Sequence, residues 1–351
     1  MCKQPHILYC ILDWGLGHAS RSIPIIKHLQ QTGYKLTVAT SKKLFDDYIA
    51  LELDNIAFFE LKAYNPNYSK HNTQTFRLLT QIPQFLRVYW SDKSRIKTFV
   101  KENKPDVIFS DNRFSCRHKS IKSFYITHQL NILNAKTGGI SSFATFIHRY
   151  IIKKFDLCLV PDDVCGAAGL LSVDNSKRLN LKHIGLLSRL HPIKSKKHNY
   201  ILVVLSGPEP QRSIFEAKVI EASYHISDKV ILVRGTNLPL KHKLPLSVKA
   251  YNIVGTDILS RLYEMAQYVV ARSGYSTIMD LMVARLPALL VATPGQAEQE
   301  YLSVHLSKKG WFVSKDQDDF NFLTHDELLS LKNSPEVSSL RYKMILNEIL
   351  S

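Results

Sequence analysis

Residues 272–310 read RSGYSTIMDLMVARLPALLVATPGQAEQEYLSVHLSKKG and decide how the second half of the chain folds. Residues 268–271, just before them, are apolar and β-prone, and Gly274 ends that run. The following residues place apolar side chains at the i, i+3, i+4 spacing of a helix. Pro287 restarts the chain, and residues 288–292 are typical of a buried strand. The pattern predicts a strand, a tight turn, a helix and a second strand.

Polar side chains in the same stretch predict a binding site. Thr277 and Asp280 share one face of the helix's first turns, near backbone N–H groups that lack partners within the helix and favour an anion. Gln296 and Gln299 follow the next turn, and their amides offer the donors and acceptors that hydroxyl recognition requires. The stretch therefore predicts a site for a charged, sugar-like ligand.

The length and composition indicate a folded protein of two domains. The chain has 351 residues, 45% of them hydrophobic, which is enough for a large core. Its five cysteines form no CxxC pair and are odd in number, so neither a metal site nor a disulfide framework is predicted. We expect a cytoplasmic protein with no secretion signal and no membrane-spanning helix.

The excess positive charge lies in the first half of the chain. Residues 1–200 hold 30 Lys and Arg against 14 Asp and Glu, while residues 201–351 hold 16 of each kind. The net charge of +16 therefore belongs to one half, which indicates that this half faces something acidic. A basic solvated surface without a function explains the same distribution equally well.

Alternating strand and helix patterns predict an α/β protein with parallel sheets. We predict an N-terminal domain over residues 1–190, a linker over residues 191–199 and a C-terminal domain over residues 200–351. The linker is polar and basic, and it contains Pro192. A final helix over residues 337–350 could pack back on the first domain.

Two Rossmann-like domains are typical of nicotinamide dehydrogenases, but two features of the sequence argue against that class of enzyme. The first loop reads Gly15-x-Gly17-x-x-Ser20 and lacks the third glycine of the dinucleotide fingerprint. The second strand ends in Thr-Ser-Lys at residues 40–42, with no acid for the ribose. The sequence also lacks a Walker A motif and the common nucleic-acid-binding signatures, so we expect neither an ATPase of that type nor a nucleic-acid partner.

Three residues at predicted strand or helix ends could carry chemistry. His18 lies in the glycine loop at the predicted start of a helix, where it could accept a proton from a substrate hydroxyl. Asp111 ends a predicted strand and could orient such a base, and His128 follows the next strand in the same kind of position. A capping histidine and a turn aspartate are the alternative interpretations.

The loop that opens the predicted second domain contains small residues. Ser206, Gly207 and Glu209 lie between a buried strand and a helix, so backbone amides there could approach a diphosphate. An ordinary strand-to-helix turn is an equally good interpretation. Arg189, at the edge of the linker, could reach phosphate oxygens with its guanidinium.

Together these segments resemble the GT-B glycosyltransferases related to glycosyltransferase family 28. The strongest match is one motif that continues through Pro294 to Gln299, and its positions are Arg272, Ser273, Gly274, Thr277 and Asp280. The supporting matches are Gly15-Leu16-Gly17-His18, His128-Gln129-x-Asn131, Gly185 with Arg189, and residues 206–209. They run in the family's order across nearly the whole chain.

The resemblance implies two Rossmann-like domains whose parallel sheets face across an interdomain cleft, with a UDP-sugar held by the second domain. Asp280 would bind the ribose hydroxyls, and Gln299 with its neighbours would read the sugar hydroxyls. Arg189 and the small-residue loop would face the diphosphate, while the backbone near Ile258 would hold the uracil. His18 would activate the acceptor.

Three positions depart from the family's pattern. The family usually has Glu where this chain has Asp280. Its second glycine loop usually reads Gly-Gly-Ser, whereas Pro208 here removes a backbone donor. Glu300 rather than a second Gln follows Gln299. These departures leave the identity of the donor sugar open.

We therefore predict a metal-independent, inverting glycosyltransferase that moves a hexose or N-acetylhexosamine from a UDP-sugar to an acceptor hydroxyl, with no cofactor besides the donor. The basic first half favours a lipid-linked or cell-envelope glycan as acceptor, and a peripheral contact with the inner face of the plasma membrane. Residues 143–155 fit such a contact, and they fit equally a helix packed on the sheet. The alternatives are a UDP-sugar epimerase of the same fold and a non-catalytic nucleotide-sugar-binding protein.

Overall fold

The computed structural model describes residues 4–65, 80–134, 139–163, 166–174, 178–193, 199–338 and 340–351. Within them the chain forms two compact units, each with its own parallel sheet. The first unit contains the described residues up to Arg189 together with Ser338–Ser351, and the second contains those of Leu190–Val337. Most of the predicted linker, residues 194–198, lies outside the described residues.

The sheet of the first unit has seven strands. They are β1 (His6–Ile11), β2 (Lys35–Thr40), β3 (Ala57–Glu60), β4 (Val107–Asp111), β5 (Lys122–Ile126), β6 (Leu157–Val160) and β7 (Leu181–His183). Their order is β3-β2-β1-β4-β5-β6-β7, and every neighbouring pair is parallel. The order changes direction between β1 and β4, so the loops that leave these two strands diverge at the carboxyl edge of the sheet, where α/β proteins bind ligands.

Helices connect these strands. They are α1 (Leu16–Gln31), α2 (Lys42–Leu44), α3 (Ala50–Glu52), α4 (Ile82–Asn103) and α5 (Ser142–Ile152). A π-helical turn, Phe45–Ile49, joins α2 to α3, and a 3-10 turn spans Gly169–Leu171. The connections are crossovers, as parallel neighbours require.

The central strand and the first helix form where the sequence predicts them. All six residues of β1 are buried, as expected of a parallel strand that is covered on both faces. α1 starts at Leu16, three residues before the predicted Ala19, because Gly15 with φ 88° turns the chain directly into the helix. Gly33, with φ 90°, follows the end of α1 in the left-handed conformation that ends many helices.

The sheet of the second unit has six strands. They are β8 (Tyr200–Val204), β9 (Val230–Val233), β10 (Val248–Tyr251), β11 (Ala266–Ala271), β12 (Ala288–Val291) and β13 (Val313–Lys315). Their order is β10-β9-β8-β11-β12-β13, again with every neighbouring pair parallel. This order also changes direction at its centre, between β8 and β11, so a second divergent edge exists in this unit.

The helices of the second unit are α6 (Gln211–Ala222), α7 (Thr256–Glu264), α8 (Tyr275–Ala284), α9 (Ala297–Lys308) and α10 (His325–Leu329), with a 3-10 turn at Ser223–His225. Phe215 and Val219 of α6 pack on buried strand residues such as Val203 to form the core of this unit. Among the described residues of both units, no helix has the length and apolar character to cross a bilayer.

The sequence did not predict the edge strands β3, β7 and β13. Each has three or four residues, and none of these residues is fully buried. An edge strand pairs on one side and leaves much of its surface to solvent, so it lacks the continuous apolar run that marks a central strand.

The last helix, α11 (Arg341–Leu350), belongs to the first unit. Asn347 accepts a hydrogen bond from His28 of α1 at 2.9 Å between Nε2 and Oδ1, in the tautomer that protonates Nε2. A Cβ on Gly185 would lie 3.1 Å from the Cβ of Arg341, so glycine allows the close approach of this helix. The chain thus returns to its first unit after completing the second.

Candidate functional site

A cluster of polar side chains occupies the divergent edge of the first sheet, after β1, β4 and β5. His18 and Arg21 come from the first turns of α1, Asp111 is the last residue of β4, and His128 follows β5. The sequence predicted His18, Asp111 and His128 as candidates from their positions at element ends. The structure brings these three together, with Arg21 between them.

His18 and Asp111 form a direct pair. The His18 Nδ1 lies 2.7 Å from Asp111 Oδ1, although the two residues are 93 positions apart in the sequence. The Asp111 side chain is fully buried, whereas 16% of the His18 side chain remains exposed. The imidazole therefore has one nitrogen held by the carboxylate and retains access to solvent, which is the arrangement a general base requires.

Arg21 is the member of the cluster that the sequence prediction missed. Its Nε lies 2.7 Å from Asp111 Oδ2, and its Nη2 lies 2.5 Å from Asp111 Oδ1. Its Nη1 lies 3.0 Å from His128 Nδ1. The signal that could have revealed it is the i, i+3 spacing from His18, which places both side chains on one face of α1.

The charges of this cluster shift two pKa values. Burial alone would raise the pKa of Asp111, but the adjoining Arg21 guanidinium and His18 lower it to about 2. Burial and the nearby Arg21 charge lower the pKa of His18 below its ordinary value, while Asp111 partly opposes them. At neutral pH the pair therefore consists of an ionised carboxylate and a neutral imidazole.

A second buried arginine, Arg113, contacts the segment that leads from β1 into the glycine loop of Gly15 and Gly17. Arg113 lies two residues after β4, and its Nε donates to Asp92 Oδ2 of α4 at 2.7 Å. Its Nη1 also lies 3.6 Å from Oδ1 of Asp13, the residue that begins the loop before α1. Asp13 in turn accepts the backbone N–H of Tyr64 at 3.2 Å. These contacts fix the path of the chain from β1 into the predicted site residues Gly15 and Gly17.

Arg189 lies in the first unit. Its Nη1 donates to the hydroxyl of Tyr48, and its guanidinium stacks over the Tyr48 ring at 5.7 Å. The contact orients the guanidinium without neutralising it, because a phenol is an uncharged partner. A role for Arg189 toward a diphosphate stays a prediction.

In the second unit the predicted motif lies at the start of α8. Gly274 is the N-cap residue, and within the described part of the chain no side chain caps this helix and no acid occupies its first turn. Main-chain N–H groups at a helix start favour an anion, as the sequence predicted for this position. Thr277 is partly buried and Asp280 is 6% exposed, both on this helix, as the spacing predicted.

Arg272 precedes this helix and is buried, with 1% of its surface exposed. Its guanidinium donates to the carbonyl oxygens of Ala292 and Gln211, each at 2.9 Å, and to Gln317 Oε1 at 2.5 Å. We predicted a substrate contact for Arg272. The structure shows that it joins the ends of β11 and β12 to the start of α6, and the substrate contact stays a prediction.

The glutamine loop is held by its own side chains. Gln299 Oε1 accepts the backbone N–H of Thr293 at 2.9 Å, and Gln299 Nε2 donates to Gln296 Oε1 at 2.6 Å. Ser273 Oγ donates to the Gln299 carbonyl at 2.7 Å. Of the predicted sugar-binding residues, Gln299 and Ser273 thus shape the loop, and a role in reading hydroxyls stays a prediction for Gln296 and Gln299.

The predicted diphosphate loop follows β8. Gly207 adopts φ 102°, and a Cβ there would lie 3.8 Å from Thr293 Oγ1, so the backbone conformation rather than crowding requires glycine. Ser206 is partly buried next to it. The carboxylate of Glu209 accepts Arg212 Nε at 2.6 Å and the Ser213 backbone N–H at 3.3 Å, so it organises the start of α6.

Ile258 lies on the first turn of α7, and half of its surface is exposed. It therefore presents an apolar side chain at the carboxyl edge of the second sheet, next to the strand β10. Within the described residues no group of three His, Cys, Asp or Glu side chains could hold a metal ion.

The sequence of the second unit matches a known family. Residues 202–335 match the glycosyltransferase family 28 C-terminal domain. The chain is 22% identical, over 300 residues, to a UDP-N-acetylglucosamine--N-acetylmuramyl-(pentapeptide) pyrophosphoryl-undecaprenol N-acetylglucosamine transferase of Buchnera aphidicola, covering 82% of this chain and 78% of that protein. It is 23% identical to an uncharacterized glycosyltransferase of Methanosarcina acetivorans, covering 87% and 84% of the two chains. The chain is a glycosyltransferase related to family 28.

Solved structures show that this glycosyltransferase has the GT-B fold. The spinosyn forosaminyltransferase SpnP aligns with a TM-score of 0.66 at 12% identity, covering 99% of both chains. The calicheamicin glycosyltransferase CalG4 aligns with a TM-score of 0.62 at 16% identity, covering 99% of this chain and 94% of that one. MurG of Acinetobacter baumannii aligns with a TM-score of 0.53 at 11% identity, covering 99% and 91%. The predicted fold class, family relationship and enzyme class are confirmed.

Proposed function

We propose that this glycosyltransferase moves a hexose or N-acetylhexosamine from a UDP-sugar to an acceptor hydroxyl, with inversion and without a metal ion. The single observation that carries the proposal is the His18–Asp111 pair, a neutral imidazole held at 2.7 Å by an ionised carboxylate on a buried strand end. The family 28 match over the second unit supports the donor class, since relatives matched by this chain are named for UDP-N-acetylglucosamine.

In the proposed reaction His18 acts as the general base. Its Nε2 lone pair takes the proton of the acceptor hydroxyl while the hydroxyl oxygen forms a bond to the anomeric carbon of the donor. The bond between that carbon and the UDP oxygen breaks, and UDP leaves with the electron pair. A single displacement of this kind inverts the anomeric configuration. Asp111 stabilises the imidazolium that results, as its short contact with Nδ1 allows.

The second unit would bind the donor. The first N–H groups of α8 and the loop of Ser206 and Gly207 would meet the diphosphate, because main-chain donors at a helix start favour anions. Asp280 would accept from the ribose hydroxyls, and the region of Ile258 would hold the base. These main-chain donors would offset the negative charge of the departing UDP. A metal ion is therefore not part of the proposal.

We further propose a lipid-linked or cell-envelope glycan as acceptor, reached at the inner face of the plasma membrane. One face of α5 supports this, since Phe143, Phe146 and Tyr150 are 76%, 70% and 57% exposed. The opposite face is buried through Thr145, His148 and Ile152. Lys154 lies 4.2 Å from the centroid of the Tyr150 ring, so a positive charge borders the apolar face, as an anionic bilayer surface would favour.

A thermal-shift and product screen against nucleotide sugars tests the donor. We expect UDP and one UDP-sugar to stabilise the protein, with less stabilisation in Asp280→Ala, while transfer to an acceptor falls in His18→Ala and persists in the presence of a chelator. No stabilisation by any uridine nucleotide would refute the donor assignment. Conversion of a UDP-sugar to its epimer without acceptor would show the alternative activity.

Sedimentation with anionic liposomes tests the membrane contact. Wild-type protein should sediment at low salt and less so as salt rises, and Phe143→Ser with Phe146→Ser should weaken sedimentation. Leu329→Ser, at a 71% exposed apolar residue of α10, is the matched control. Absence of wild-type binding at low salt would remove the membrane proposal and leave the donor chemistry untouched.

A further inference from the structure

Arg21 contacts both histidines of the first-unit cluster as well as the buried carboxylate. Its Nη2 lies 2.9 Å from His18 Nδ1, and its Nη1 lies 3.0 Å from His128 Nδ1. Its Nε and Nη2 both reach Asp111. The guanidinium is 3% exposed, so its planar fork is fixed by these contacts. One side chain thus faces the same ring nitrogen of two different imidazoles.

The proton of His18 can be assigned from these distances. Its Nδ1 has two neighbours, Asp111 Oδ1 at 2.7 Å and Arg21 Nη2 at 2.9 Å. Asp111 is ionised because its pKa is lowered to about 2, so it can only accept. The shorter contact therefore requires a proton on Nδ1, and Arg21 Nη2 directs its own N–H to the same carboxylate oxygen. The neutral His18 then has its lone pair on Nε2.

The proton of His128 follows from the opposite constraint. The neighbour of its Nδ1 in this cluster is Arg21 Nη1, and a guanidinium has donors and no acceptor. A hydrogen bond at 3.0 Å therefore requires a lone pair on Nδ1. In its neutral form His128 then has its proton on Nε2, the opposite of the tautomer assigned to His18.

We propose that Arg21 is a positioning residue that holds His128 in the tautomer opposite to the one that Asp111 fixes in His18, so that His18 has an Nε2 lone pair and His128 has an Nε2–H. The proposal rests on the proposed function only for the use of His18 as the base. The tautomers themselves follow from the contacts of Arg21 and Asp111.

Several charged or titratable groups face this cluster. Within α1 they are His18 and Arg21, from β4 comes Asp111, and from β1 and β5 come the buried hydroxyls of Tyr9 and Tyr125. His148 of α5 faces His128 electrostatically, and burial keeps His148 neutral by lowering its pKa to about 4. Since both tyrosine pKa values are raised, the pKa of His18 responds mainly to the charges of Arg21 and Asp111, with a smaller lowering effect of His128.

The tautomers can be read directly by nitrogen NMR of histidine-labelled protein, at a pH above the ordinary histidine pKa of about 6.5. In wild-type protein we expect His18 protonated on Nδ1 and His128 protonated on Nε2. Arg21→Met should leave His128 as a mixture of tautomers, because the donor that selects its lone pair is gone. Lys27→Met, on the exposed side of the same helix, is the matched control and should change neither signal.

Arg21→Lys separates charge from geometry. It restores a positive charge but not the two-armed fork, so His128 should remain a mixture while His18 titrates closer to wild type. In Arg21→Met the midpoint of the acidic side of the pH–rate profile should shift to higher pH by about one unit. The pKa of His18 rises there because Asp111 acts on it without an opposing charge. The shift of this midpoint reports the charge of Arg21, whereas the tautomer of His128 reports its geometry, which a merely structural arginine would not set.

The outcomes distinguish the inference from the proposed function. Identical tautomers at the two histidines of wild-type protein, or His128 unchanged in both arginine variants, would overturn the role of Arg21. If Arg21→Met does not fold, the histidine nitrogen signals of the wild-type protein and of Arg21→Lys still test the role of Arg21. Opposite tautomers in a protein that transfers no sugar would uphold this inference and refute the proposed function instead.

Discussion

The two units hold their polar residues in different ways. In the first unit, His18 and Arg21 of α1 bond to Asp111 of β4, Arg21 also bonds to His128 after β5, and part of His18 stays exposed. In the second unit, Arg272 donates to backbone carbonyls of two other segments, and Gln299 accepts a backbone N–H of its own loop. Under the proposed function, side chains would supply the chemistry in the first unit. In the second, they shape loops whose backbone N–H groups would bind the anion.

The largest effect is expected at the carboxylate of the first unit. Asp111→Asn should lower kcat by about 10³, because an amide can donate to Nδ1 and allow the wrong tautomer, and because it cannot stabilise the imidazolium. Steady-state kinetics measures this, with UDP affinity expected to stay the same. Asp46→Asn, at a half-exposed residue paired with Lys42, is the matched control. A kcat within about threefold of wild type would mean that the pair is structural.

The next effect tests the loop-shaping role of the second unit. Arg272→Met removes the donor from the carbonyls of Ala292 and Gln211 and from the amide of Gln317, and should lower the free energy of unfolding by about 2–3 kcal/mol. Relief of a buried charge offsets part of this loss, since burial lowers the pKa of Arg272 to about 9. Urea unfolding with Arg261→Met, an exposed residue of α7, as control measures the difference. An unchanged or raised stability would show that the buried charge dominates.

The sequence predicted the positions of side chains better than their partners. His18 and Asp111 were found because strand ends and helix starts mark the ligand edge of a parallel sheet. Arg21 was missed because its i, i+3 spacing from His18 is a weak signal by itself, and its partner is a carboxylate 90 positions away. The burial of Arg272 and its bonds to three segments were not predicted, because a sequence shows the charge but not its surroundings. Contacts between distant segments decide both cases.

The pH dependence of sugar transfer tests the charges around His18 in the first unit. His18 must be neutral to act as a base, and burial with Arg21 lowers its pKa below the ordinary value of 6.5. The rate should therefore be more than half of its maximum at pH 6.5, and should fall about tenfold per pH unit further down. Asp111 stays ionised through this range because its pKa is about 2, so one proton defines the limb. A limb with a midpoint above 6.5 would mean that Asp111 outweighs Arg21.

The smallest effect concerns Glu209, which was predicted to face the diphosphate. Its carboxylate is 40% exposed, and although burial alone would raise its pKa, hydrogen bonds from Ser213 and Arg212 lower it. Glu209→Gln should cost about 0.5 kcal/mol of stability, since the amide oxygen still accepts the Ser213 N–H and the lost ion pair is solvent-screened.

The same substitution removes a negative charge from the loop where main-chain donors are proposed to meet the diphosphate. If those donors bind the anion, the donor KM should fall by about twofold in Glu209→Gln. Glu221→Gln, an exposed residue further along α6, should leave the KM unchanged. A KM that rises in Glu209→Gln would assign the carboxylate itself a binding role, and the second unit would then use side chains as the first unit does.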